Sequence, residues 1–374
     1  MVLWHGSPVY SLAVLADGRL ASAGLDGKIK VWPADGAGEP VVLSHGSRVW
    51  SLAVLVDGRL VSAGDDGNIK IWLNEGSVEP VVLPRGSPVH SLVVLRDGRL
   101  ASGGQDGKIK LWRKDGTSEP VVLSHGTEVQ SLVVLPDGQL ASGGGGKIKL
   151  WPKDGTSEPV VWSLGSFVIT VNSLAVSSDG RLASGSLDGK INLWPKEGVG
   201  EPEILLHGSP VHALAVLADG RLASGGGDGN VKIWPKAGVD EPAVLPHGDW
   251  IMSLAVLADG RLASGDQHGK IKLWPKIGWR RAGGPFPRQY DLFPCGAARR
   301  KAGQWRQRRE DQAVARRRTK TRRCPLSSRR PQPHKGRVGP LHRRRHSPAA
   351  ELSRPSFKLA DPGSIAAPRR RTPL

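Results

Sequence analysis

Seven tryptophans recur along the first three quarters of the chain at nearly constant spacing. They are Trp32, Trp72, Trp112, Trp151, Trp194, Trp234 and Trp274, and the intervals between them are 40, 40, 39, 43, 40 and 40 residues. The first copy of the repeat reads HGSPVYSLAVLADGRLASAGLDGKIKVWPADGAGEPVVLS, from His5 to Ser44. Self-similarity at a period near 40 is typical of stacked architectures in which no single unit can bury its hydrophobic face alone.

Each repeat contains four short segments that have strand character and are separated by turns. In the first repeat these segments are Val9–Leu15, Arg19–Ala23, Lys28–Trp32 and Pro40–Leu43. They are rich in β-branched residues or alternate between polar and apolar residues. One four-stranded sheet cannot bury both of its faces, whereas seven sheets stacked around an axis cover one another. The sequence therefore predicts an all-β fold, a seven-bladed β-propeller of four-stranded antiparallel blades over residues 1–276.

The two ends of the repeat region complement each other. The last repeat supplies three strands that end at Trp274 and has no in-frame EPVVL segment, while Met1-Val2-Leu3 stand where other repeats carry their fourth strand. We expect the N-terminal residues to complete the last blade, because closing the ring removes the free edge of an open array.

Four residue types recur together in the repeats: a His before the first strand, a Ser in the second, an Asp in the next turn and the Trp of the third. With this period, residues 1–276 resemble the WD-repeat β-propeller family, and in particular the near-identical tandem repeats of bacterial members. In that family the four side chains form a hydrogen-bonded structural tetrad. The resemblance implies complete tetrads of His5, Ser22, Asp26 and Trp32, of His45, Ser62, Asp66 and Trp72, and of His207, Ser224, Asp228 and Trp234.

The other four repeats depart from the tetrad pattern. The third has Arg85 in place of the His, and the fourth keeps His125 but has no Asp in Gly143–Gly146. The fifth has a different loop from Ser163 to Thr170, and the seventh carries His268 at the Asp position. The Trp-Asp dipeptide that names the family is also absent, since Pro, Leu or Arg follows the Trp. We expect these four blades to be less rigid than the other three.

Residue types that support catalysis or metal binding occur in the repeats without a catalytic arrangement. Ser, His and Asp could act as nucleophile, base and orienting acid, but a catalytic set is needed once, whereas this set recurs as buried polar networks do. Asp-Gly pairs such as Asp17-Gly18 suit tight turns and lack further carboxylates at Ca²⁺-ligand spacing. The Gly-rich run lacks the Lys-Ser/Thr of a phosphate loop. The sequence predicts no enzyme, no metal site and no cofactor.

Variation between the repeats is concentrated near the start of the first strand. The residue before Ser-Leu and the residue two positions earlier change from repeat to repeat, while their neighbours hardly vary. In chain order the pairs are Pro8 and Tyr10, Arg48 and Trp50, Pro88 and His90, Glu128 and Gln130, Thr170 and Asn172, Pro210 and His212, and Trp250 and Met252. In the WD-repeat family this end of the strand lies on a face that often binds partners, and Trp and Tyr are typical interface anchors. The pairs are thus candidate contacts for other proteins or peptides, with unconstrained variation at solvated positions as the alternative.

Residues 277–374 differ from the repeats in composition. They hold 27 of the chain's 53 Lys and Arg residues but 5 of its 34 Asp and Glu residues, a net charge of +22, which leaves residues 1–276 with 26 basic and 29 acidic residues, a net of −3. Arg- and Pro-rich runs such as RRRTKTRR predict a disordered basic tail that could bind nucleic acid or an acidic partner. The tail has few aromatic residues for base stacking and no folded nucleic-acid-binding motif. Nucleic acid is therefore the less favoured partner.

A second hypothesis for the tail is out-of-frame translation. Gln304-Trp305-Arg306-Gln307 encoded as CAG TGG CGG CAG gives Ser-Gly-Gly when it is translated one base later, which is the second-strand signature of the repeat. With allowed synonymous codons, Arg288 to Ala315 shifts as a whole to VNTISSLAVLPDGKLASGGSDGKIKLWP, nearly a complete repeat. A frameshift between Pro275 and Arg288 would then hide an eighth repeat, and the nucleotide sequence tests this directly.

Cysteine use and hydropathy bear on the compartment. Cys295 and Cys324 both lie in the tail, so the repeats contain no disulfide framework, and no stretch approaches 18 apolar residues. We expect a cytoplasmic, monomeric protein that does not enter a membrane and acts as a non-catalytic protein-interaction scaffold. Met1 stands where other repeats have Val, and GTG can start translation in bacteria, so the chain could begin inside a longer array. By family analogy, the alternative function is a truncated sensor or ligand-recognition module of a larger signalling ATPase.

Overall fold

The strands form seven four-stranded antiparallel sheets, as the sequence predicts. The computed structural model describes residues 1–73, 79–114, 119–153, 158–165, 169–196, 200–236 and 241–276. The tail and the proposed hidden repeat, residues 277–374, lie outside the described residues. The strands, from the first to the fourth of each blade, are β2 (Val9–Val14), β3 (Leu20–Gly24), β4 (Lys28–Trp32) and β5 (Val41–Ser44) in blade 1; β6 (Val49–Val54), β7 (Leu60–Gly64), β8 (Asn68–Trp72) and β9 (Val81–Pro84) in blade 2; β10 (Val89–Val94), β11 (Leu100–Gly104), β12 (Lys108–Trp112) and β13 (Val121–Ser124) in blade 3; β14 (Ser131–Val134), β15 (Leu140–Gly144), β16 (Lys147–Trp151) and β17 (Val160–Ser163) in blade 4; β18 (Val171–Val176), β19 (Leu182–Ser186), β20 (Lys190–Leu193) and β21 (Glu203–Leu206) in blade 5; β22 (Val211–Val216), β23 (Leu222–Gly226), β24 (Asn230–Trp234) and β25 (Ala243–Pro246) in blade 6; and β26 (Ile251–Val256), β27 (Leu262–Asp266), β28 (Lys270–Trp274) and β1 (Val2–Trp4) in blade 7.

The first and second strands of each blade are joined by a tight turn that the Asp-Gly pair makes possible. In blade 1 the Gly18 amide donates to the Leu15 carbonyl at 2.9 Å, and Asp17 Oδ1 accepts from the Arg19 amide at 3.0 Å. Gly18 has a φ of 85°, a left-handed conformation that a residue with a Cβ adopts only at a cost. These turns lie together at one end of the ring, which we call the turn end.

The hydrophobic core is divided into seven clusters, each shared by two neighbouring blades. Between blades 1 and 2, for example, Ile29 and Val31 of β4 pack with Val49, Leu60 and Trp72 of the next blade. Small residues of the second strands let the sheets approach closely, since Ala21 and Ala23 in the same cluster are fully buried. Because every blade depends on two neighbours for burial, the ring rather than the blade is the stable unit.

The ring is closed by the N-terminal strand, as the sequence predicts. Strand β1 pairs antiparallel with β28, with Val2 opposite Lys272, Leu3 opposite Ile271 and Trp4 opposite Lys270. The His5 amide donates to the Gly269 carbonyl at 2.7 Å, and Leu3 packs in the cluster shared by blades 7 and 1. The first strands of successive blades contact one another in a closed cycle, so they line the axis.

Candidate partner-binding face and tetrads

The four predicted tetrad side chains of blade 2 are brought together in one buried chain of hydrogen bonds. Trp72 Nε1 donates to Ser62 Oγ at 2.9 Å, and Ser62 Oγ lies 2.9 Å from His45 Nδ1. His45 Nε2 lies 3.2 Å from Asp66 Oδ1. Because the Ser oxygen already accepts from the indole, its own hydrogen is available to Nδ1, which leaves the imidazole proton on Nε2, facing the carboxylate. Blades 1 and 6 repeat these contacts, through His5, Ser22, Asp26 and Trp32, and through His207, Ser224, Asp228 and Trp234.

These histidines are shielded from solvent and held neutral. The side chains of His5, His45 and His207 are fully buried. Burial lowers the pKa of each, against the opposing effect of the neighbouring Asp carboxylate. A neutral imidazole can accept from Ser and donate to Asp at once, which protonation would abolish.

Blade 3 forms a different network around its arginine. Arg85 is buried, and its Nη2 atom donates to Asp106 Oδ1 at 2.8 Å and to the Lys108 carbonyl at 2.6 Å. Trp112 Nε1 still donates to Ser102 Oγ at 2.8 Å. The guanidinium therefore reaches the same turn Asp that His reaches in other blades, and the pair is charged rather than neutral.

Blade 4 lacks the turn Asp, and a main-chain carbonyl takes its place. His125 Nδ1 lies 2.8 Å from Ser142 Oγ, and Nε2 lies 3.4 Å from the Gly144 carbonyl oxygen. With no carboxylate to oppose it, burial lowers the pKa of His125 to about 4.

Blade 5 has Leu164 where the His would stand, and a stacked pair of tryptophans lies beside it. Trp162 replaces the Leu found in the fourth strand of the other repeats, and its ring stacks on Trp194 with centroids 4.9 Å apart. Trp194 Nε1 keeps its bond to Ser184 Oγ at 2.9 Å, and Asp188 accepts instead from Ser186 Oγ at 2.6 Å. The larger ring at position 162 accompanies the loss of the His, a compensation that the sequence analysis missed.

Blade 7 recovers a carboxylate from an unexpected position. His268 occupies the usual Asp position and is largely exposed, but Asp266, two residues earlier, is buried with Oδ2 at 3.2 Å from His247 Nε2. Most other blades have Gly at this point, and a Cβ built on Gly226 would lie 2.4 Å from His207 Nε2. A side chain at this position is thus aimed at the imidazole, so the expectation that blade 7 lacks the carboxylate was wrong.

Asp266→Gly is expected to lower the free energy of unfolding by about 1–3 kcal/mol, because it leaves a buried imidazole without its acceptor. Adding His268→Asp should recover most of the loss by placing the carboxylate where the other blades carry it. Urea unfolding of the single and double variants measures both changes. An equal loss in the two variants would contradict this assignment.

The variable residue of each repeat occupies a β-bulge at the start of the first strand. In blade 1 the pairing register shifts between Val9 and Ser11, so Tyr10 is the extra residue. The same shift occurs in blades 2, 3, 5, 6 and 7, and blade 4 lacks it. A bulged residue has no partner across the ladder and its side chain is re-aimed. We call the seven residues at this position the bulge rim: Tyr10, Trp50, His90, Gln130, Asn172, His212 and Met252.

Side chains of the bulge rim contact one another across three consecutive blades. Tyr10 stacks on Trp50 with centroids 4.5 Å apart, and Trp50 meets the edge of His90 at 5.5 Å. Arg48 lies over the Trp50 ring at 5.2 Å, and Trp50 Nε1 donates to Asp65 Oδ1 at 2.6 Å. The indole is therefore fixed on several sides before any partner arrives.

The other side of the rim carries a looser group of contacts. Asn172 Nδ2 lies 3.4 Å from His212 Nδ1, and His212 stacks against Trp250 at 6.3 Å. Trp250 remains 51% exposed. Between the two groups, Glu128 Oε1 lies 2.9 Å from His90 Nδ1, while no contact is recorded for the side chains of Gln130 and Met252 among the described residues. The structure thus joins most of the candidate residues into two clusters.

Comparison with known proteins identifies the repeats. The family model described as "WD domain, G-beta repeat" matches seven times, at residues 2–33, 38–72, 81–113, 117–152, 161–195, 201–235 and 242–275. The chain belongs to the WD-repeat family. WD-repeat propellers typically mediate protein–protein interaction.

Solved structures include similar propellers, and one is a crystal structure of the WD40 β-propeller domain of Doa1. It matches this WD-repeat protein with a TM-score of 0.66 and 24% sequence identity, over 74% of this chain and 95% of that chain. At this identity the likeness shows the fold alone. No curated protein matches the chain significantly.

Two searches of the described residues of this WD-repeat protein returned nothing. Within the described ranges no three His, Cys, Asp or Glu side chains are grouped so that they could hold a metal ion. No helix in that part of the chain is long and apolar enough to cross a membrane.

Proposed function

We propose that this protein is a non-catalytic scaffold that binds a protein or peptide partner at the bulge rim and the adjoining residues Arg48, Glu128 and Trp250. Internal comparison between the two ends of the ring carries the proposal. The residue just before the turn Asp is as variable as the bulge rim, and these seven residues, which we call the turn rim, are Ala16, Val56, Arg96, Pro136, Ser178, Ala218 and Ala258.

Variation alone therefore does not distinguish the two ends, but side-chain chemistry does. The turn rim is exposed and consists mostly of small residues, whereas the bulge rim carries Tyr, Trp, His, Asn, Gln and Met. Residues that vary without a role should not be large and aromatic at only one end of the same strands. Large amphipathic side chains are the ones that dominate binding energy in protein interfaces.

Fixation of the rim side chains supports the same conclusion. Trp50 is held by Tyr10, Arg48 and Asp65. Binding through side chains that are already ordered avoids much of the entropy loss of association.

Burial of the tetrads supports the non-catalytic part of the proposal. Ser62 and His45 resemble a nucleophile and its base, but both side chains are buried and each is saturated by the network that contains it. A substrate would have to open the blade to reach the hydroxyl. The same residues are better explained as structural.

Trp50→Ala and Trp250→Ala are expected to weaken partner binding at least tenfold, since aromatic hot spots typically contribute about 2 kcal/mol or more. Purified full-length protein would capture partners from lysate, and the recovered partner would be titrated against each variant. Val56→Ala and Arg96→Ala, which truncate the turn rim, should leave affinity unchanged. The reverse result, loss at the turn rim and none at the bulge rim, would place the interface at the opposite end.

A further inference from the structure

A ring of serine hydroxyls links the first strands of neighbouring blades around the axis. The Leu52 amide in blade 2 donates to Ser11 Oγ of blade 1 at 2.9 Å. The same bond recurs at four further junctions at 2.9–3.0 Å, from Leu92 to Ser51, from Leu132 to Ser91, from Leu174 to Ser131, and from Leu214 to Ser173. We call each of these bonds a serine clasp. A clasp is a directed contact between blades that otherwise share only apolar packing.

The two boundaries of blade 7 lack this bond. At the boundary between blades 6 and 7 the serine position is Ala213, which has no hydroxyl to offer the Leu254 amide. At the boundary between blades 7 and 1, Ser253 Oγ donates instead to the Val9 carbonyl at 3.1 Å. The series of clasps is therefore interrupted on both sides of one blade.

Burial changes at the same two places. The five clasped leucines are 7–8% exposed, while Leu12 and Leu254, the corresponding residues at the boundaries of blade 7, are only partly buried. Trp274 is likewise only partly buried, whereas the equivalent Trp of every other blade is buried. Blade 7 is thus less tightly enclosed than its neighbours by a measure independent of hydrogen bonding.

The two boundaries differ in what else holds them. Blades 7 and 1 are also joined by the β1–β28 ladder and by the His5 amide bond to Gly269. Across the boundary of blades 6 and 7 the contacts are mainly the apolar cluster of Val231, Ile233 and Ile251, with the His212–Trp250 stack at the bulge end. Opening there breaks no clasp and no strand pairing.

We infer that the ring has a built-in seam between blades 6 and 7, at which it opens transiently while the other boundaries stay closed. Apolar faces separate at this seam with no directed bond between the first strands to restrain them. Opening parts His212 from Trp250 and gives solvent access to the β26 amides. Ala213 is the residue that sets the seam, because a serine there would complete the clasp.

Hydrogen exchange of the full-length protein tests the seam. The protection factors of β26 (IMSLAV) are expected to be lower than those of β10 (VHSLVV), which occupies the same place in blade 3. Ala213→Ser should raise protection in β26 about fivefold, the factor that corresponds to one hydrogen bond of about 1 kcal/mol. Ala213→Cys adds an atom of similar size with a weak acceptor and should have little effect.

A variant at an intact boundary makes the test reciprocal. Ser51→Ala removes the clasp between blades 2 and 3 and should lower protection in β10 by a similar factor, without changing β26. Equal protection of β26 and β10 in the unmodified protein would overturn the inference. So would an Ala213→Ser variant whose β26 exchange is unchanged or is matched by Ala213→Cys.

Discussion

Leu3→Asp is expected to open the ring, whereas Val2→Asp is expected to leave it closed. The two residues are neighbours in β1, but Leu3 is 7% exposed within the cluster of blades 7 and 1, and Val2 is 46% exposed on the other side of the strand. Burying a carboxylate without a partner costs several kcal/mol, so we expect Leu3→Asp to lower the free energy of unfolding by roughly 3–5 kcal/mol. Val2 lies opposite Lys272, which would receive the same charge favourably.

The consequence of opening should be visible in solution as well as in stability. Release of β1 exposes the edge of β28, and an unpaired edge strand tends to pair with another chain. Thermal unfolding followed by circular dichroism, together with light scattering, should show a lower transition and larger species for Leu3→Asp only. Similar behaviour of the two variants would mean that closure does not depend on the buried face of β1.

Acid is expected to destabilise the ring in a window set by its buried histidines, between about pH 6.5 and pH 4. Burial lowers the pKa of both His125 and His247 to about 4, and also lowers the pKa of His5, His45 and His207. The unfolded chain therefore binds these protons more readily than the folded one. Stability is fully present above about pH 6.5, falls as the pH decreases, and reaches its lower limit near the folded pKa.

The expected size of the effect follows from the shift. A depression from 6.5 to about 4 corresponds to roughly 3 kcal/mol for one fully buried histidine. Urea unfolding at several pH values should give a slope of about 1.4 kcal/mol per pH unit for each proton taken up on unfolding.

A matched pair of variants separates proton uptake from packing. His125→Gln should lower stability at pH 8 and also reduce the pH slope, since one buried imidazole is gone. His268→Gln removes an imidazole that is largely exposed and should change neither. A slope that is unaffected by His125→Gln would show that other groups govern acid unfolding.

The blade number, strand order and ring closure could be predicted from the sequence because a repeated signal averages out local ambiguity. The spacing of seven tryptophans is far more specific than any single strand pattern. Closure needed only the absence of a fourth strand after Trp274 and apolar residues before His5. Tetrad residues were found by matching each repeat to the family pattern, position by position.

Compensating changes were missed for the same reason. Position matching detects that His268 has replaced an Asp, but it cannot show that Asp266 reaches the same imidazole from another point on the backbone. It likewise treats Trp162 as one more apolar residue, although its ring stacks on Trp194 beside the missing His. Side-chain direction, rather than residue order, decides both cases, and only coordinates supply it.

The serine clasp was also invisible in the sequence, although Ser11 and its equivalents could be seen. Its acceptor and donor are 41 residues apart, and a Ser within a strand is usually interpreted as a solvated or tolerated polar residue. Ala213 looked like a minor substitution until the bond that it lacks was known.

The β-bulge at the start of each first strand makes this ring a candidate framework for engineered recognition. Tyr10 and its counterparts have no cross-strand partner, so exchanging them need not disturb the ladder or the tetrads. Six such bulges and the equivalent Gln130 surround one axis on a nearly uniform scaffold. Randomising these seven codons would vary one contiguous patch while the hydrophobic clusters stay constant, much as antibody loops vary on a fixed sandwich.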